Sequence, residues 1–110
     1  MILEQLKNDA DSIQFNDVIS YIDENYEFTP TKFKNGETVN EENQNNGSCK
    51  VFSFAKLNNL STEDTLALFG EFYRKDVLLK PEGDDHQNIR NFMKFGWDGI
   101  LFEGDALKQK

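Results

Sequence analysis

The segment Val51-Phe52-Ser53-Phe54-Ala55-Lys56-Leu57 places apolar side chains around much of the circumference of a helix, and this limits the fold more than any other feature. A helix with one apolar stripe can lie on a surface, but one that is apolar on most sides has to be wrapped by other elements. The spacing therefore predicts a helix at the centre of the molecule. Ten phenylalanines, three tyrosines and one tryptophan among 110 residues are available to wrap it. Each well-buried aromatic contributes on the order of 2–3 kcal/mol of transfer energy. A chain of this length buries roughly two thirds of the surface of its unfolded form, enough for one domain spanning residues 1–110 without disulfides.

The rest of the chain supplies the wrapping elements. Ile2, Leu3 and Leu6 recur at helical spacing before a polar break at Asn8–Ser12, and Phe15, Val18, Ile19 and Ile22 form the stripe of a second helix ending near Asn25. Tyr26, Phe28 and Thr29-Pro30 change to a two-residue alternation and predict an extended segment at 26–33, with Pro30 confined to a strand end or edge. Residues 34–47 contain a single apolar residue, Val39, and predict a polar surface loop. Ser48 is then the expected N-cap of the central helix. Ser61 caps a further helix whose apolar face, Leu66 to Tyr73, runs to about Lys75, with Gly70 suited to close packing. After a turn at Lys80–Gly83, Asp84 or Asp85 caps a last helix with Ile89, Phe92 and Met93 facing inward and Gly96 at its end. Gly99–Glu103 predicts a strand paired with the Tyr26 segment. The expected class is α+β, about five helices with a small two- or three-stranded sheet.

Charge and cysteine usage remove several function classes. A formal net charge of −8 opposes a nucleic-acid backbone or an anionic membrane, and no basic run exceeds Arg74-Lys75. One cysteine and one histidine cannot supply a usual zinc site, and the acidic pairs Asp23-Glu24 and Glu41-Glu42 do not follow a calcium-loop spacing, so no metal and no cofactor are expected. No apolar stretch approaches the roughly 20 residues that span a bilayer, and the first residues lack a secretory signal.

Several motifs in order resemble a known family. Tyr26-Glu27-Phe28-Thr29-Pro30, Phe33-Lys34-Asn35-Gly36 and Asn45-Asn46-Gly47-Ser48-Cys49-Lys50 form the first half of the pattern. Leu68-Phe69-Gly70, Asp76-Val77-Leu78, His86-Gln87-Asn88-Ile89-Arg90-Asn91-Phe92 and Gly96-Trp97-Asp98-Gly99-Ile100 form the second. Together they resemble the HopJ-type family, named after type III secretion effectors of plant-pathogenic bacteria. The resemblance implies a bacterial protein that acts as an effector-like or regulatory interaction module with a protein partner, and it carries over no catalytic residue. Export by a type III system is implied by the family name. A domain that begins within the first few residues, however, leaves little room for a disordered export segment, and the bacterial cytoplasm is the expected location.

Two other functions can be drawn from the residues themselves. Cys49, in the first turn of its helix, sits where the macrodipole favours a thiolate, and His86 can serve as its base, with Asn88 or Asn91 orienting the ring, in a thiol-dependent enzyme. The competing reading of Cys49 is a small buried side chain. The third function is an anion-binding domain. Asn45, Ser48 and Lys50 at one helix start, with Asn88, Arg90 and Asn91 on the last helix, are its candidate ligand-binding residues for a small anion. Trp97 reads as core rather than as a binding platform.

Overall fold

A computed structural model describes residues 2–110. The central helix, α3 (Asn46–Leu57), follows α1 (Ile2–Asp9), a short 3-10 turn at Ala10–Ser12, and α2 (Phe15–Asn25). Between α2 and α3 come three short strands, β1 (Tyr26–Phe28), β2 (Phe33–Asn35) and β3 (Thr38–Asn40). After α3 the chain forms α4 (Thr62–Ala67), a π-helical segment (Phe72–Val77), α5 (Gln87–Phe95), a 3-10 turn (Gly96–Gly99), and strands β4 (Ile100–Phe102) and β5 (Leu107–Gln109).

The predicted place of α3 holds. Val51, Phe52, Phe54 and Ala55 are fully buried, although Leu57, at the last turn, is exposed. Phe52 meets Phe33 of β2, Phe69 after α4 and Phe92 of α5 at ring-centroid distances of 6.1, 5.3 and 4.9 Å. Phe54, two residues on, takes the edges of Tyr21 from α2 and Tyr26 from β1 at 5.8 and 5.7 Å. Neighbouring phenylalanines thus point into two different groups of elements, so α3 is held from several sides. Truncating either ring would cost about 3–5 kcal/mol, because the transfer energy and the cavity left behind add.

The strands differ from the expected pairing. Segment 26–33 is two strands in two sheets. β1 pairs antiparallel with β5, Tyr26 opposite Gln109, while β2 lies between β3 and β4, with Phe33 opposite both Asn40 and Phe102. Gly99–Glu103 therefore pairs with the Phe33 segment and not with Tyr26. Pro30 has no N–H for a ladder and separates the two strands, while Thr29 N–H still reaches Ala106 O at 2.8 Å.

Residues 34–47 are not a loop throughout. They contain the β2–β3 hairpin, turned at Gly36, which has φ +61° and lies so close to the Phe95 ring that a Cβ could not fit. The hairpin buries Asn35 and Asn40 and exposes Val39, the reverse of the usual pattern.

The helix ends also differ in detail. Ser61 caps α4 as expected, accepting from Asp64 N–H at 3.1 Å. Helix α4 stops far short of Lys75, because Gly70 takes φ +58° and the chain restarts as the π-helical segment. Ser48 is not a cap, since α3 begins two residues earlier behind Asn45, and the N-cap of α5 is His86 rather than Asp84 or Asp85. Met93 does not face inward.

Candidate functional site

The starts of α3 and α5 converge on one cleft of about 470 Å³. Asn45, Gly47 and Ser48 line it from α3, and His86, Gln87 and Asn88 from α5, while Phe15, Phe69 and Phe72 supply an aromatic wall. No carboxylate lines it among the described residues.

Both helix starts are built in the same unusual way. Asn45 (φ 53°) and His86 (φ 50°) are N-caps in the left-handed region, and neither side chain caps its helix. Asparagine tolerates this conformation; for histidine it costs of order 1 kcal/mol. The helical ladder of α3 starts with Cys49 N–H bonding to Asn45 O at 3.0 Å, and that of α5 with Ile89 and Arg90 N–H on His86 O at 3.0 and 3.1 Å. Earlier N–H groups in each first turn have no intrahelical acceptor, and together with the macrodipole they make each start a partial positive charge.

The distribution of acids sharpens this. Helices α1, α2 and α4 carry Glu4, Asp17 and Glu63 with Asp64 in their first turns, as the dipole favours. In a chain with 20 acidic residues, the first turns of α3 and α5 carry none.

Behind the cleft lies a buried asparagine network. Asn40 Oδ1 accepts from Asn45 Nδ2 at 2.6 Å and from Asn88 Nδ2 at 3.0 Å, and Asn40 Nδ2 donates to Asn88 Oδ1 at 3.1 Å. Asn35 Nδ2 donates to both the backbone O and Oδ1 of Asn88, at 2.8 and 3.0 Å. Asn91 Nδ2 donates to Thr38 Oγ1 at 2.7 Å and to Asn35 O at 3.3 Å. The hairpin is thereby laced to α5 at Asn88 and Asn91.

Of the residues singled out from sequence, the cleft brings together Asn45, Ser48, His86 and Asn88. The others lie elsewhere. Cys49, 1% exposed, is outside the lining; its thiol donates to Thr31 O at 3.7 Å, and burial raises its pKa above the ordinary thiol value. No hydrogen bond joins it to His86 among the described residues. His86 Nε2 instead sits 3.1 Å from Asp76 Oδ2, with the ring stacked on Phe72 at 5.1 Å. Lys50 pairs with Asp23 at 2.8 Å and lies over the Phe28 ring. Arg90 is committed to the turn before α5, donating to Lys80 O, Pro81 O, Asp85 O and the Asp85 carboxylate. Asn91 is absorbed by the hairpin contacts, and Trp97 packs edge-on to Phe92 while its indole N–H donates to Leu60 O at 2.9 Å.

Sequence reasoning did not find Asn40, Asn35, Gln87 or the aromatic wall. Asn40 is one polar residue in a polar run, and the wall joins Phe15 to Phe69 and Phe72 from a distant part of the chain. The absence of acids from two helix starts is the signal that could have pointed to the cleft.

Among the described residues no group of three or more His, Cys, Asp or Glu is placed to hold a metal ion, and no helix is long and apolar enough to cross a membrane. No curated protein matches the chain. A crystal structure described as that of the unknown function protein VPA0580 is similar to it at 56% identity and a TM-score of 0.97, covering 98% of this chain and 90% of that one. The family pattern described as HopJ type III effector protein matches residues 1–107. The order of motifs, the near-identical fold and that match agree, and the chain belongs to the HopJ family.

Proposed function

We propose that the protein binds a small anion in the cleft between the starts of α3 and α5. The observation that carries this reading is the convergence of two uncapped helix N-termini, neither with an acidic residue in its first turn, on a cleft with no carboxylate in its lining among the described residues, although Asp76 and Asp85 stand behind the His86 ring. Backbone N–H groups and two macrodipoles favour a carboxylate or phosphate at the polar end. Phe15, Phe69 and Phe72 offer the remainder of the ligand an apolar wall. A ligand at 100 times its Kd would stabilise the fold by about 2.7 kcal/mol, which thermal unfolding detects readily. The test is thermal shift and calorimetry with inorganic phosphate, acetate and benzoate. A saturable shift is expected, lost in Gln87→Glu, which puts a carboxylate at the mouth, and retained in Lys50→Ala, which lies outside. Absence of binding by all three probes would overturn the reading.

An effector-like or regulatory interaction role is the second reading. Its support is a groove of about 290 Å³ formed by Val77, Leu78, Pro81 and Met93 beside Lys94. Leu78 and Met93 there are 46% and 43% exposed, more than a monomer's core requires. A partner that engages the groove would be lost on Met93→Glu.

A further inference from the structure

We propose that Asn40 is the positioning residue of this cleft: by bridging Asn45 and Asn88 it fixes the separation of the two helix starts, so that the cleft selects anions by size. The inference rests on the reading of the cleft as an anion site and adds what sets its selectivity.

Asn45 and Asn88 line the cleft from opposite helices, and Asn40 does not. It stands behind them at the end of β3, 1% exposed, with its amide oxygen shared between the two and its amide nitrogen returned to Asn88. One planar side chain thus holds the N-cap of α3 and the first turn of α5 in a single hydrogen-bonded unit. The hairpin that carries Asn40 cannot slide, because Asn35 is bonded to Asn88 and Thr38 to Asn91 on the same helix. The left-handed backbone at Asn45 fits this role. It is a conformation that asparagine adopts readily, and in it the Asn45 side chain reaches back to Asn40 at 2.6 Å.

Two donor groups at a fixed separation discriminate by fit. An anion that spans both is bound without further ordering cost, while a smaller one engages only one start and a larger one forces them apart. Releasing the bridge lets each start move to suit any anion, which weakens binding of the best-fitting one and levels the preferences.

The experiment measures affinities for inorganic phosphate, acetate and benzoate by calorimetry in the wild type, Asn40→Ala, Asn45→Ala and the double variant. The ratio of the strongest to the weakest affinity is expected to fall at least fivefold in each single variant, with little further change in the double variant, because both break one bridge. Asn45 is exposed, so Asn45→Ala keeps the test open if Asn40→Ala does not fold. Ratios within twofold of wild type in both single variants, with only the melting temperature lowered, would make Asn40 a purely structural residue and overturn the proposal. If the wild type binds none of the probes, the anion reading fails and the selectivity claim falls with it. Amide hydrogen exchange would then still test the bridge: faster exchange at both the Gly47–Ser48 and Gln87–Asn88 amides in Asn45→Ala supports it, and a change at α3 alone overturns it.

Discussion

A Cβ at Gly70 would stand 2.7 Å from the backbone nitrogen of Phe15 and 2.9 Å from the carbonyl of Ile13. The start of α2 lies against the bend that follows α4, and the contact is sealed by Glu71 Oε1, which accepts from Phe15 N–H at 3.0 Å. Gly70 also has φ +58°.

Gly70→Ala is therefore expected to destabilise the protein by about 2–4 kcal/mol, combining the left-handed cost for a residue with a Cβ and the overpacking of a backbone contact. Chemical denaturation measures it. A loss under about 0.5 kcal/mol, the size of an ordinary surface change, would mean that the bend relaxes without strain.

The same bend shows where the fold was legible in the sequence and where it was not. Helical periodicity located α2 and the burial of α3 because apolar spacing is a local property. It could not stop α4 at Ala67, because Leu68, Phe69, Phe72 and Tyr73 continue an apolar face across Gly70, and only the approach of α2 makes a bend there preferable. The hairpin was hidden for the opposite reason. Beyond Phe33 its inward positions are Asn35 and Asn40, and its one aliphatic, Val39, faces out, so hydrophobic alternation fails from Lys34 onward. The candidate site was half legible. Asn45, Ser48, His86 and Asn88 were found because unusual polar residues gather at helix starts, but that Lys50 and Arg90 are committed elsewhere depends on Asp23 and on the carbonyls of the 80–85 turn, which no spacing reveals.

Cys49 is expected to behave as a packed thiol. In the native protein its modification by a disulfide reagent at neutral pH should be on the order of 100-fold or more slower than that of a free thiol, since it is buried and protonated. Burial raises its pKa in the folded state, so between the ordinary thiol value and the raised one the folded chain keeps a proton that the unfolded chain has released. Stability from this group is complete below about pH 8.5 and declines as the pH rises above it. Comparing denaturation at pH 7, 9 and 10 should show a smaller decline in Cys49→Ala than in wild type. Rapid labelling, or equal declines, would contradict the packing described.

Arg90→Lys is expected to act on the turn and not on the cleft. The guanidinium spreads its donors over Lys80 O, Pro81 O, Asp85 O and Asp85 Oδ1, an arrangement that a lysine ammonium cannot reproduce. A loss of stability is expected, with faster proteolysis in the 80–85 segment and an unchanged response to phosphate. The hydrogen bond from Arg90 holds the Asp85 carboxyl below the usual carboxylate range, so this contribution is present above the ordinary pKa, about 4, and is lost as the pH falls below it. The difference between wild type and variant should therefore narrow in acid. A reduced phosphate response would instead place Arg90 in the ligand site.

Ser48→Asp separates stability from binding in one substitution. Position 48 lies in the first turn of α3, its hydroxyl has no hydrogen-bond partner among the described residues, and the turn has no acid. A carboxylate there should meet the helix dipole as Glu4, Asp17 and Asp64 do at their own helices, raising stability by about 0.3–1 kcal/mol. The same charge occupies the place where an external anion would sit and repels it, so the thermal shift with phosphate should vanish. Raised stability with an intact phosphate response would leave α3 uncapped for no reason connected with binding. Lowered stability would mean that the start of α3 is not the open, positively polarised end on which the anion reading depends.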